Sequence, residues 1–588
     1  MGHDHPHHDS HSHDHDHEHA CGEKHTPHAH EPDRLTLAAL SDASDADLAP
    51  AELSRRRLLL GAGLGGAGLA AGMTGMVGVS PAMADDDRYV ERPGSGRARY
   101  WLAGDHHIHT QHSSDGQYRV IDQAQHAAAY GLDWLVITDH GGATHARIGV
   151  DVVNPEIREA RDELRGTLIF QGLEWNIPAA EHGTVFVAPG RNEVAVLKQF
   201  ETDYDGSVRG ASGSTPQNEA LAVAGIQWLG QQVDRRRVDS ALFLANHPAR
   251  NGIDSPHEIR AWRDADPRVA IGFEGAPGHQ AAGLPAGYGP GSARGFYANA
   301  AGPSSFAAYP PESYRTWGGF DWMTSTVGGL WDSLLAEGKP WSISANSDSH
   351  VNWSDTSRRP VGQDTADYFA ANGRYGDPEY AGRVNLTAGD FWPGFYSRTH
   401  VGAANRSYTA VMRGMRDGRI WVDHGALVRS VDVSIRERGR RGTETTLGGT
   451  AVVRRGADLE LVVRIVPQDV PNWSQFVPRL NRVDVIRGVV DPDHAGDRDT
   501  FTAPDTRVVE QWDTSGRTGP FEIVHRLGRA DEPFYVRLRG TDGNRQQAGA
   551  LGAGIDPAGP AIDVIGAADP WVDLWFYTNP IWVMPRGR

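Results

Sequence analysis

The 588-residue sequence predicts an α/β domain followed by a β-rich domain. Between about residues 99 and 350, short apolar runs typical of buried strands alternate with segments that have helical apolar spacing. This alternation favours a barrel of strand and helix units. After about residue 425, apolar and polar residues alternate with period two between Gly, Pro and Asp clusters, which predicts an antiparallel β-sandwich. The length alone predicts more than one domain.

The N-terminal segment, residues 1–53, is predicted to be a disordered histidine-rich tract with a polar linker. Its first 30 residues contain twelve histidines among Asp and Glu residues. Such a composition cannot build an apolar core, but it can bind borderline metal cations loosely.

Residues 54–84 are predicted to be a twin-arginine export signal. Paired arginines precede a weakly apolar Gly, Ala and Leu run, and the segment ends in Ala-Met-Ala, which predicts cleavage after Ala84. A retained membrane anchor is the alternative, but the many glycines make this run a poor spanning helix. We therefore expect the twin-arginine machinery as a partner, an exported protein (secreted, periplasmic or at the cell surface) and no stable anchor after cleavage.

Cysteine content and net charge exclude several classes of site. The single cysteine, Cys21, would leave with the signal, so the exported chain would have no disulfide and no thiolate ligand. The formal net charge of −18 argues against a nucleic-acid-binding surface. The sequence contains no glycine-rich phosphate loop beside a strand, so a nucleotide cofactor is not expected.

Potential metal ligands begin directly after the first predicted strand. The stretch GDHHIHTQHSSDG, residues 104–116, follows the apolar run ARYWLA. His107 and His109 are two residues apart and would project from the same face of the chain. After a predicted helix, the short apolar run LDWLVITDH ends in Asp139 and His140. Polar side chains thus recur where predicted strands end.

The same pattern continues along the chain. Glu174 lies at the end of one apolar run, and His182 is the first residue of a strand-like stretch. His247 follows another apolar run, and the segment SISANSDSH contains Asp348 and His350. Because the carboxyl ends of barrel strands converge on one mouth, these residues could meet there. Imidazoles and carboxylates suit Zn, Mn or Fe, and a carboxylate can bridge two ions.

The motifs HIHTQHSSDG, TDH, a glutamate after a strand, two single histidines and SDSH, in this order, resemble the signature of the PHP (polymerase and histidinol phosphatase) superfamily. The resemblance covers about residues 99–352 and implies a distorted (β/α)7 barrel, here assigned to residues 85–425, before a β-sandwich-like domain at 426–588. The segment leading into SDSH is similar to an exported branch that includes carbaryl hydrolase.

The resemblance implies three divalent metal ions per chain. The implied ligands of the first ion are His107, His109, Glu174 and Asp348. Glu174 would bridge to a second ion, completed by His182 and His247. The implied third site consists of Asp115, His140 and His350.

One ligand position stays open, and two further residues are not expected to be ligands. The first motif has one residue more before Ser-Asp-Gly than many family members have, so His112 competes with Asp115 for the third ion. His106 would face away from His107 and His109, and we expect it to have a supporting role. Glu274 ends another apolar run but matches no ligand position.

The implied site predicts hydrolysis by a metal-bridging hydroxide. Glu174, Asp348 and His350 are expected to carry the catalysis. The leading prediction is an exported metal-dependent phosphoesterase that acts on a small-molecule phosphate ester. Cleavage of a carbamate, amide or carboxyl ester is the alternative, because the same hydroxide can attack an acyl carbon. A non-catalytic metal-binding or metal-buffering protein is the alternative of another class.

Residues that contact the substrate are harder to predict. The Gly- and Pro-rich segment 276–314 suits a lid over the mouth. His145, Arg398 and His400 are further candidates for substrate contacts.

Overall fold

The computed structural model describes residues 98–278, 301–314, 316–317, 319–352, 359–379, 390–440, 442, 444–543 and 573–586. The predicted histidine-rich tract, linker and export signal lie outside the described residues, as do residues 279–300 of the predicted lid. The described residues pack as one compact unit. None of their helices is both long enough and apolar enough to span a bilayer.

The first part of the fold alternates strands and helices. Its strands are β1 (Tyr100–Asp105), β2 (Trp134–Ile137), β3 (Leu168–Asn176), β4 (His182–Val187), β5 (Ala241–Ala245), β6 (Ala270–Ala276), β7 (Thr316–Trp317), β8 (Phe320–Asp321), β9 (Ser342–Ala345), β10 (Ser397–Ala403) and β11 (Ile420–His424). Its α-helices are α1 (Val120–Ala129), α2 (Val150–Glu163), α3 (Glu193–Tyr204), α4 (Gly206–Arg209), α5 (Pro216–Asp234), α6 (Pro256–Ala265), α7 (Trp322–Ser325), α8 (Leu330–Ala336), α9 (Ala366–Asn372) and α10 (Tyr408–Arg416). A π-helical turn, His145–Gly149, precedes α2, and a 3-10 turn, Pro311–Tyr314, precedes β7.

The helix ends follow from local sequence. Ser255 caps α6 and forms a capping box with Glu258, and Pro256 occupies the first turn, where its missing N–H costs nothing. Thr215 caps α5 in the same way, again followed by a proline. The short strand β2 is buried along its whole length, as its continuous apolar sequence predicts.

One mixed sheet carries the strands that lead to the predicted ligands. It runs in the order β11-β10-β1-β2-β3-β4-β5-β6-β9. The pairs β1–β2, β2–β3, β5–β6 and β6–β9 are parallel, whereas β4 is antiparallel to both of its neighbours. In the β3–β4 hairpin, Asn176 pairs with His182. The end of β3 and the start of β4 therefore lie at the same edge of the sheet, which is why His182 opens its strand while Glu174 nearly closes the preceding one.

Side chains, rather than a strand ladder, hydrogen-bond the free edge of β9. The Thr399 hydroxyl lies 2.8 Å from both the N and the O of Ala345, and the Asn579 amide bonds the N and O of Ile343. The sheet thereby curls until β9 meets β10. The α/β architecture with a large mixed sheet is confirmed, and the number of seven strand and helix units stays a prediction.

The C-terminal part is rich in sheet, as expected. Its strands are β12 (Val428–Glu437), β13 (Thr445–Thr446), β14 (Thr450–Arg454), β15 (Asp458–Pro467), β16 (Arg482–Val489), β17 (Arg507–Asp513), β18 (Phe521–Arg529), β19 (Phe534–Thr541), β20 (Trp575–Thr578) and β21 (Ile581–Arg586). A 3-10 turn, Pro492–Gly496, follows β16. An antiparallel sheet, β13-β12-β15-β18, shares an apolar core with strands β16, β19 and β21 of the large sheet. Strand β20 pairs with β11, so the large sheet continues across the predicted boundary at 425/426, and that boundary stays a prediction.

Candidate metal centre

The segment after β1 is tied to the segment after β9. Ile108 forms a parallel bridge with Ser349. The buried Asp105 carboxylate accepts hydrogen bonds from the backbone N–H of His107 and of Ser347, each at 2.9 Å. Burial raises the pKa of Asp105 to about 7, although these hydrogen bonds oppose the shift. The two segments that contain the first and last predicted ligands are thus held side by side.

The Glu174 carboxylate lies at the centre of the cluster. Nitrogens of five imidazoles lie within 3.4 Å of its oxygens, on His107, His109, His140, His182 and His247. Oε1 lies 3.1 Å from Nε2 of His107, and Oε2 lies 2.7 Å from Nδ1 of His140. The side chain is 1% exposed. One buried carboxylate therefore touches residues from four separate parts of the chain.

Asp348 lies on another side of the first two histidines. Its Oδ1 is 3.1 Å from Nε2 of His107 and 3.2 Å from Nε2 of His109. The same oxygen is 3.4 Å from Nδ1 of His350, whose ring stacks on that of His109 with centroids 3.8 Å apart. The residues predicted for the first ion, together with His350, therefore form one continuous group.

Asp115 marks the open side of the cluster. Its carboxylate oxygens lie 3.3 Å from Nε2 of His140 and 3.5 Å from Nε2 of His350. The side chain of Asp115 is 55% exposed and that of His140 is 25% exposed, whereas His109 is fully buried. A substrate would reach the cluster from this side.

The donor atoms fit divalent cations. Among the described residues, potential donor atoms lie within 4.8 Å of one another in three groups: His109, Asp115, His140 and His350; His107, His109 and Glu174; and His140, Glu174 and His182. Glu174 Oε2 and His182 Nδ1 are buried without a hydrogen-bond partner, although each has a close polar neighbour. Buried polar atoms are normally hydrogen-bonded, and crowding without that geometry is expected of ligands that share a cation.

The electrostatics favour an ionised Glu174. Burial alone would raise the pKa of Glu174, but His182, His107 and His140 hold it well below its usual range. Burial would likewise lower the pKa of His140, but Glu174 and Asp115 raise it to about 10. The cluster therefore attracts positive charge, whether that charge comes from protons or from metal ions.

Surrounding carboxylates orient the histidines, a role that the sequence pattern does not predict. Glu274 Oε1 lies 2.8 Å from Nδ1 of His107, and its Oε2 accepts the backbone N–H of His247 at 2.7 Å. The Ser113 hydroxyl donates to Asp139 at 2.8 Å and lies 2.9 Å from Nδ1 of His109. Each arrangement leaves Nε2 directed at the cluster. The available signal for Glu274 was its place at the end of a buried strand, the same setting that identified Glu174.

The structure separates His112 from the cluster. Its Nδ1 lies 3.2 Å from the Gly373 carbonyl and its Nε2 lies 3.2 Å from Glu156. His112 belongs to none of the donor groups, whereas Asp115 belongs to one. His106 lies between Thr184 and Ser344, and burial lowers its pKa to about 4, in keeping with the expected supporting role of a neutral ring.

The three residues that were candidates for contacting the substrate form hydrogen bonds and stacking contacts with other parts of the protein. Arg398 donates twice to Asp423, and His400 contacts the same carboxylate at 2.9 Å while its ring stacks on Trp421. Nδ1 of His145 lies 2.9 Å from Oε2 of Glu201, and the ring is buried. These contacts are structural.

Two of the predicted ligands have a backbone conformation that residues other than glycine rarely adopt. His247 has φ of 32° and Asp348 has φ of 48°. Gly278 packs so tightly on the same segment that a Cβ there would lie 1.7 Å from the Ser347 carbonyl oxygen. Local strain of this kind is concentrated at functional sites.

Comparison with known proteins finds a family similarity for part of the chain. Residues 105–240 match the family model of the PHP domain. Among solved structures, a two-domain protein containing a predicted PHP-like metal-dependent phosphoesterase from Bacteroides vulgatus ATCC 8482 is similar to this chain at 15% identity, over 76% of this chain and 93% of that chain, with a TM-score of 0.27. No curated protein matches the chain. The similarity to the carbaryl hydrolase branch stays a prediction.

Proposed function

We propose that this protein is a metal-dependent hydrolase of the PHP type, and specifically a phosphoesterase with three divalent ions per chain. The proposed ligands are His107, His109, Asp115, His140, Glu174, His182, His247, Asp348 and His350. The observation that carries the proposal is the buried Glu174 carboxylate, which five imidazoles surround and whose Oε2 accepts no hydrogen bond within the described part of the chain.

Bound divalent ions would supply Lewis acidity and would lower the pKa of a coordinated water. The protein's part is to fix the ligands. Glu274 accepts Nδ1–H of His107, and Ser113, which donates to Asp139, accepts Nδ1–H of His109, so that both rings present Nε2. Asp348 and His350 lie beside them, near the exposed Asp115, where a substrate enters. We assign catalysis to Glu174, Asp348 and His350.

The test is a comparison of substrates on the purified full-length protein. Bound metals are measured, and p-nitrophenyl phosphate, bis-p-nitrophenyl phosphate, p-nitrophenyl acetate and naphthyl methylcarbamate are assayed in parallel. We expect phosphate-ester hydrolysis that is lost on chelation and restored by Zn, Mn or Fe. Turnover of the acetate or the carbamate alone would favour the acyl hydrolase. Metal binding without turnover of any of these compounds would favour a metal-buffering protein.

We also propose that the protein is exported through the twin-arginine pathway, on the basis of the sequence of residues 54–84. Replacing Arg55 and Arg56 with Lys should retain the protein in the cytoplasm, as fractionation and immunoblotting would show. Unchanged export of the double variant would contradict this assignment.

A further inference from the structure

Arg359 lies next to the open side of the metal centre. Its Nη2 donates to the carbonyl of Gly116, the residue that follows the exposed Asp115. Its guanidinium carbon lies 3.6 Å from the centroid of the Tyr375 ring. Burial lowers the pKa of Arg359 below its usual value, and the charges of Tyr375 and Asp115 oppose that shift. Because an arginine side chain stays protonated in proteins, this guanidinium is a cation that is partly desolvated and adjacent to the loop that carries Asp115.

The position of Arg359 is fixed by contacts with the same loop. The Tyr375 backbone N–H donates to the Gln111 carbonyl at 2.9 Å, and the Gln111 side chain donates to Asp377 at 3.1 Å. Tyr375 is therefore hydrogen-bonded to the loop that carries Asp115. A stacked guanidinium on such a support loses little conformational freedom when it binds a ligand.

Arg359 has unused hydrogen-bonding capacity. Its Nε is buried and has no hydrogen-bond partner among the described residues. The neighbouring Arg374, by contrast, pairs with Asp377 at 2.8 Å and with Glu156 at 3.7 Å. Among the residues that the structure describes, no carboxylate forms an ion pair with Arg359. A buried donor without a partner is costly, and an arginine with unused donors is suited to binding a phosphate or a carboxylate.

We propose that Arg359 binds an anionic group of the substrate at the open side of the metal centre, so that the substrate is a phosphate ester with free nonbridging oxygens rather than a neutral ester or carbamate. The substrate class rests on the proposed hydrolase function, whereas the anion site itself does not. Nonbridging oxygens would lie between the guanidinium and the side of the cluster formed by Asp115, His140 and His350.

The test measures binding of inorganic phosphate to the metal-loaded full-length protein by calorimetry. We compare Arg359→Gln, the conservative Arg359→Lys and the control Arg374→Gln, and we measure the metal content of each. Arg359→Gln should weaken phosphate binding by about tenfold or more, with unchanged metal content. The phosphate affinity of Arg359→Lys should lie between that of Arg359→Gln and that of the native protein. Arg374→Gln should bind phosphate as tightly as the native protein does. Turnover of p-nitrophenyl phosphate should fall in Arg359→Gln, while turnover of the neutral p-nitrophenyl acetate, where present, should not.

Equal phosphate affinity in Arg359→Gln and the native protein would overturn the proposal. A loss of metal from Arg359→Gln and Arg359→Lys would also overturn it, because the residue would then only position the Asp115 loop. If phosphate binding depends on Arg359 but the native protein hydrolyses no phosphate ester, the anion site stands and the proposed phosphoesterase function fails.

Discussion

The metal centre and the C-terminal layers both bury charged side chains, but they satisfy them in different ways. Where helix α8 packs on strand β19 of the C-terminal layers, Arg537 donates through Nε and Nη2 to both oxygens of Asp332 at 2.8 and 2.6 Å, and both side chains are fully buried. In the metal centre, Glu174 has five imidazoles around it and an oxygen without a hydrogen-bond partner. Both oxygens of the buried Asp332 carboxylate accept hydrogen bonds, which indicates a structural role, whereas the buried Glu174 carboxylate has a crowded oxygen that accepts none from the described residues, which indicates a binding site.

The largest expected effect follows from Glu174→Gln. The substitution keeps the volume but removes the charge that would hold two cations close together. We expect loss of bound metal and a fall in hydrolysis of about a thousandfold or more, given how strongly such sites depend on their metals. Elemental analysis and turnover in excess metal would measure both. Three ions still bound with unchanged turnover would remove Glu174 from the site, and unchanged thermal unfolding would show that the effect is local.

A substitution in the Asp332–Arg537 pair should lower stability and leave metal binding unchanged. Asp332→Asn leaves the buried Arg537 guanidinium without its counterion, so we expect a loss of about 3 kcal/mol in the free energy of unfolding. Metal content should not change. Denaturant titration would measure the loss, and Glu522→Gln, which breaks the exposed pair with Arg464, is the control with no measurable change expected. Loss of metal in Asp332→Asn would contradict the assignment of a purely structural role to this pair.

Glu274→Gln tests a residue that orients ligands without belonging to a donor group. The amide cannot hold His107 Nδ1–H and the His247 N–H as a carboxylate does, so metal affinity should fall about 10- to 100-fold. Competition with a chromophoric chelator would measure the affinity. An unchanged affinity would indicate that Glu274 serves only to stabilise the fold.

The pH dependence of metal binding is expected to be the mildest effect. In the metal-free protein, Glu174 and Asp115 raise the pKa of His140 to about 10, so His140 is protonated at neutral pH. A metal ion needs the neutral imidazole, so binding releases a proton and becomes weaker as the pH falls. Between pH 7.5 and 6, apparent Mn affinity should decrease by about tenfold per pH unit for each proton released. A flat profile would mean that His140 does not bind the metal.

The candidate site could be predicted from sequence largely because most of the candidate ligands lie near the end or the start of a strand. Asp348 and His350, for example, follow a short apolar run, and local pattern suffices to place them at a strand end. Glu274 and Arg359 could not be predicted in the same way. The role of Glu274 depends on the neighbours that β6 acquires in the sheet, and that of Arg359 depends on the packing of a distant segment against the Asp115 loop.

For the fold, too, local features could be predicted from the sequence and long-range contacts could not. Strand and helix alternation is a local property and was predicted, but long-range pairings such as Trp421 with Thr578 leave no local signal. The continuity of the large sheet into the C-terminal part therefore emerged only from the structure. Closure of the β9 edge by Thr399 and Asn579 is equally invisible in sequence, because a threonine or an asparagine occurs equally well on any surface.

The left-handed backbone at His247 and Asp348 has a consequence for protein engineering. Glycine tolerates this conformation without steric cost, so glycine at either position would relieve strain that can reach about 1–3 kcal/mol per residue. The same change would delete a proposed ligand. A library selected for thermal stability alone would therefore tend to lose the two proposed ligands at these codons, so directed evolution of this protein should also select for the proposed metal binding in every round.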